Sequence, residues 1–153
     1  MTERLKTFDD ATEALRATQN RYAPVKADFT RLYELAKREM TPGDALSITV
    51  APDTSTSFFL EHLDRRAKVT FRFHPGSGRG NVVVYDVTSA ATAVSPSNVS
   101  LPTIFEFSFD GDGKTTLSPP KLEDSLSLRR KEDALCILLN IVDRLVGLPY
   151  SDP

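Results

Sequence analysis

Residues 68–87 read KVTFRFHPGSGRGNVVVYDV, and the fold turns on how this stretch alternates. Val69, Phe71 and Phe73 fall at every second position between Lys68, Thr70, Arg72 and His74, so an extended chain here has one apolar face and one wet face. Pro75-Gly76-Ser77-Gly78-Arg79-Gly80 interrupts the pattern and a valine-rich run over 81–87 resumes it. Two such runs joined by glycines that can take positive φ read as a β-hairpin, and a half-buried hairpin belongs to an antiparallel sheet.

The period of two recurs on both sides. Leu46, Ile48 and Val50 alternate with Ser47 and Thr49, and Phe105, Phe107 and Phe109 alternate with Glu106 and Ser108. Asp110-Gly111-Asp112-Gly113, followed by residues 115–117, predicts a second hairpin. Residues 56–66 are ambiguous: Phe58-Phe59-Leu60 suits a buried strand, whereas Leu60, Leu63 and Asp64 suit a short helix, and the strand is favoured. Residues 88–102 show no clear period and are open to being a loop, a lid or a sheet edge.

Upstream the period changes to 3.6. Phe8, Ala11, Leu15, Thr18, Tyr22, Val25, Phe29, Leu32 and Ala36 form one seam over residues 7–40, with Thr7 and Asp10 resembling a capping box. A single helix of that length would run about 50 Å, against a diameter of roughly 38 Å for a compact domain of this size. A break at Pro24 is the favoured resolution, because proline offers no N–H to Asn20 and pushes Ala23 out of the helical region. The alternative is one kinked helix whose seam meets a second copy, and Ala23 as a poor N-cap speaks for it.

Downstream, residues 128–146 predict a helix that ends at Gly147 in the left-handed C′ position, with Leu148 packing back on Val142 and Pro149 barring continuation. Leu135, Cys136, Ile137, Leu138, Leu139, Ile141, Val142, Leu145 and Val146 wrap nearly around it, so it needs cover on more than one side. The expected architecture is one α+β domain over 1–153. It comprises a helical pair or kinked helix over 7–40, an antiparallel sheet of five or six strands over 45–118, and a C-terminal helix packed across the sheet.

Function is less legible. With 153 residues a core can form unaided, and the lone Cys136 excludes an internal disulfide and a cysteine-rich zinc site. No apolar run approaches 18 residues and Met1-Thr2-Glu3-Arg4 leads into no signal-like core, so a cytoplasmic domain is expected. The glycine run 76–80 lacks the lysine and following helix of a phosphate loop, and Lys114 and Lys121 stand where a calcium loop starting at Asp110 needs oxygen ligands. His62, Glu61 and Asp64 have no zinc or iron spacing, and Cys136 sits in the most apolar stretch. No catalytic residue, metal or cofactor is predicted, and enzymatic activity is not expected.

Charge carries the one signal. Residues 61–81 hold Arg65, Arg66, Lys68, Arg72 and Arg79 with His62 and His74 against Glu61 and Asp64, while residues 82–128 hold Lys114 and Lys121 against six carboxylates. The net −2 is therefore a sum of unlike parts. Arg65, Arg66, Lys68, Arg72, His74 and Arg79 are the predicted partner-binding residues, offering a basic hairpin face to an acidic surface. Nucleic acid is not expected, because Phe71 and Phe73 point away from that face and leave it no ring for stacking. The expected function is a non-enzymatic protein-interaction module, an adaptor, small chaperone or inhibitor-like protein that can self-associate. The alternative is an apolar small-ligand protein, with Phe71, Phe73, Phe105, Phe107 and Phe109 walling a cavity beneath the C-terminal helix.

Overall fold

In the computed structural model, which describes residues 3–40, 47–88, 101–118 and 125–147, the N-terminal seam is one helix, α1 (Phe8–Glu39). Thr7 caps it, its Oγ1 accepting from the Asp10 N–H at 3.2 Å. The break expected at Pro24 does not occur, and Pro24 stands inside the helix. Packing on both sides of it explains why. Tyr22 sets its ring edge-on to Phe73 at 5.4 Å and 6.4 Å from Phe71, and Val25 is fully buried. These anchors share one helical phase, which a break would destroy, whereas the carbonyl that loses its partner belongs to exposed Asn20. One fully buried side chain and one partly buried ring contact outweigh one backbone hydrogen bond.

The sheet is an antiparallel meander of five strands in sequence order: β1 (Thr49–Thr54), β2 (Ser57–His62), β3 (Arg65–His74), β4 (Arg79–Asp86) and β5 (Thr103–Phe109). The ambiguous segment is therefore a strand, β2, followed by a two-residue turn in which Leu63 and Asp64 take φ 49° and 63°. Two consecutive left-handed residues match the twist of a tight hairpin, though asparagine and glycine usually fill them. β1 starts later than the alternation at 46–50 predicts and runs through Pro52, which an edge strand tolerates. Residue 46 lies outside the described residues, as do 89–100.

The hairpin expected after Phe109 is only partly formed. Asp110 Oδ1 accepts from the N–H groups of Asp112 and Lys114, so the turn is present. Beyond it the chain makes isolated bridges, Phe109 with Thr115 and Lys114 with Ser127, and among the described residues no sixth strand. The last helix, α2 (Lys131–Val146), begins three residues later than predicted. Gly147 is also not left-handed: at φ −81° its N–H bonds back to Asp143 O at 2.9 Å and continues the helical pattern. Leu148 lies outside the described residues.

Both helices lie on one face of the sheet. Phe58, Leu60, Ala67, Val69, Phe71, Val82, Val84, Phe105, Phe107 and Phe109 point at them and form a single core with Phe29, Leu32, Ile137, Leu138 and Ile141. α1 crosses β4 at Gly80, where a Cβ would stand 2.6 Å from Phe109 Cζ and 2.7 Å from Val25 Cγ1, so only glycine lets the helix come this near. Sheet and α1 between them cover α2, and Glu39 meets Lys131 at 2.9 Å, leaving Leu139 as its exposed large side chain at 42%.

Candidate functional site

Strand alternation places Arg66, Lys68, Thr70, Arg72 and His74 of β3 on the face away from the helices, since Ala67, Val69 and Phe71 are buried. Register then fixes their neighbours. His74 is opposite Arg79, Arg72 opposite Asn81, and Lys68 lies between Phe59 of β2 and Tyr85 of β4. Five of the six predicted residues, Arg66, Lys68, Arg72, His74 and Arg79, thus share the outer face.

Arg65 does not share it. It has the parity of the buried residues, and its Nη1 donates to Leu145 O at 3.3 Å, at the carbonyl end of α2. There a cation complements the partial negative charge of the helix terminus, a structural use that removes Arg65 from the outer sheet face.

The remaining cations are differently committed. Arg66 stacks its guanidinium 3.7 Å from the Phe59 ring centroid and brings Nε within 3.0 Å of Glu61, its cross-strand neighbour, although that N–H is not aimed at any acceptor. Lys68 pairs with Asp53 of β1 at 3.4 Å. Ser57 Oγ donates to the same Asp53 carboxylate at 2.7 Å, and this bond first, then Lys68, holds the Asp53 carboxyl below its usual range. Arg79 reaches Ser108 Oγ at 3.4 Å. Arg72 and His74 are exposed, and among the described residues Arg72, His74 and Arg79 have no carboxylate at ion-pair distance.

Sequence reasoning missed the rings on this face. Phe59 and Tyr85 flank Lys68 in one row across β2, β3 and β4, where the alternation of β3 alone suggested a face without aromatics. Register was the missing information for Phe59, because residues 56–66 had no settled element. A shallow groove of about 270 Å3 runs beside the row, lined by Thr54, Thr56, Lys68, Thr70, Arg72 and Tyr85. A larger cleft of about 430 Å3 lies at the β2–β3 turn among Ser47, Thr49, Glu61, His62, Asp64 and Arg66, where both signs of charge mix.

Sequence reasoning also missed Asp28, 1% exposed within α1. Its carboxylate takes Arg31 Nη1 at 2.8 Å and Arg129 Nε at 3.2 and 3.3 Å, and Arg129 Nη2 goes on to Gly111 O at 2.7 Å. Asp28 first of all raises the pKa of Arg129. The cluster ties α1 to the turn after β5 and to the approach to α2, with every group engaged; it is a clamp of the fold.

Among the described residues no three histidine, cysteine, aspartate or glutamate side chains converge to hold a metal ion, and no helix is long and apolar enough to cross a membrane. Comparison with protein-family models, with curated proteins and with solved structures finds no match.

Proposed function

We propose that this chain is a non-enzymatic interaction module of the cytoplasm, of the adaptor, small-chaperone or inhibitor kind, that pairs with a second copy through the N-terminal half of α1. The carrying observation is the fate of the seam. From Val25 onward it is buried as Phe29, Leu32 and Ala36, yet in the same phase Phe8 and Leu15 are 84% and 70% exposed. Body contacts along the helix reach back to Tyr22 and Arg21, the latter beside Gly78 at the end of the β3–β4 hairpin. Residues 8–20 overhang by about 20 Å at 1.5 Å per residue.

Charge favours a second copy in antiparallel orientation. Asp9, Asp10 and Glu13 make the free end of the overhang acidic, while Arg16 lies towards its base and Arg21 where the helix meets the body, so antiparallel pairing sets opposite signs side by side. The outer sheet face serves as the second docking surface, for an anionic partner. Core packing supports this reading over an apolar-ligand one: Phe71, Phe105, Phe107 and Phe109 contact one another at 6.0–6.4 Å between centroids. Light scattering across a dilution series tests the pairing. A two-chain mass that dissociates on dilution is expected, and a single-chain mass at high micromolar concentration overturns it.

A further inference from the structure

We propose that the anionic partner of the outer sheet face is a short single-stranded segment of nucleic acid, an inference that rests on the reading of this face as a docking surface. Three features converge on it. Arg72 and Arg79, with His74 opposite Arg79, form a cationic corner at the β3–β4 end, without a carboxylate at ion-pair distance among the described residues. Tyr85 and the Arg66 guanidinium that covers the Phe59 ring present two flat surfaces on the same face, about 10 Å apart at the Phe59 and Tyr85 positions, with Lys68 between them. The groove between the β1–β2 turn and Tyr85 joins that ring to Lys68 and Arg72 and is lined with the hydroxyls of Thr54, Thr56 and Thr70.

An acidic peptide would engage the cations and leave the rings without a role. A single strand engages both, its bases stacking on an aromatic ring or an arginine plane while its phosphates meet the cations. A duplex hides its base faces and meets only the charges. Asp53 and Glu61 hold Lys68 and Arg66 in place beside the rings, so the cations left for phosphate are chiefly Arg72 and Arg79, with Lys68 as a third.

Fluorescence anisotropy on the full chain tests this with a labelled 12-nucleotide single strand, the matching duplex and a 12-residue oligoglutamate. Single-strand binding is expected, stronger than to the duplex, and falling roughly twentyfold between 50 and 200 mM salt if three phosphates are neutralised. Tyr85→Ala is expected to weaken it about tenfold, and Arg72→Glu with Arg79→Glu to abolish it. Should Tyr85→Ala fail to fold by circular dichroism, the double variant at these surface arginines decides. Oligoglutamate binding without strand binding overturns the nucleic-acid assignment and leaves the docking face standing; binding of none of the three overturns both. Strand binding indifferent to these substitutions, or equal for the duplex, also overturns the assignment.

Discussion

At Gly80 the chain has no room for a single methyl group. A Cβ there would stand within 2.8 Å of Phe109 and Val25, both in the core, so the contact sets how closely α1 can approach β4. Gly80→Ala should destabilise the protein by about 1–3 kcal/mol, read from the midpoint of urea unfolding, and an unchanged midpoint would contradict the packing described. The glycine run was legible as a turn, and Gly78 at φ 68° serves one. That its last glycine is a helix-crossing position was not, because the crossing depends on Val25, far upstream in α1. Asp28 had a faint signature: it lies three residues after Val25 and four before Leu32, inside the apolar seam. A carboxylate in a buried stripe demands a cationic or hydrogen-bonding partner, and the sequence holds no cue that Arg129 is that partner.

At the level of elements, periodicity identified β3, β4, β5 and both helices, since each buries one face against a neighbour and the burial imposes the period. Local rules failed where tertiary contacts opposed them. Pro24 is the clearest instance, held helical by Tyr22 and Val25 on either side. Pro24→Ala should restore a hydrogen bond to Asn20 and raise stability by about 2 kcal/mol in thermal or urea unfolding. A loss of stability would mean that the proline shapes α1 in a way the fold needs. The β2–β3 turn was illegible for a related reason: Leu63 and Asp64 take left-handed backbone without the residues that advertise it. At the sheet edge, Asp53 links β1 to β2 and β3 through Ser57 and Lys68. Its carboxyl is held low in the folded state, so the linked stability is present above the unfolded value of about 3.9 and is lost as pH falls through the folded one. Asp53→Asn should therefore cost up to about 1 kcal/mol at pH 6. The gap to the parent should narrow progressively as pH falls below roughly 3.9; a gap that stayed constant with falling pH would show the carboxylate charge to be irrelevant.

For the whole molecule, the decisive quantity is the mismatch between a 32-residue helix and the body it packs on. Length and seam announced that mismatch, and the structure resolves it as an overhang with Leu5, Phe8 and Leu15 bare. The basic hairpin was likewise legible from composition. Its division between the outer sheet face and the α2 terminus was not, because strand parity sends Arg65 inward and Arg66 outward. In the proposed pairing the overhang is one half of an interface between two copies. Its most direct test is the light-scattering mass of Leu15→Glu beside Leu139→Glu, the second replacing the exposed leucine of α2. The expected result is the single-chain 16.9 kDa for Leu15→Glu, with Leu139→Glu remaining at twice that mass. A Leu15→Glu protein that still pairs, or a Leu139→Glu protein that alone dissociates, would contradict it.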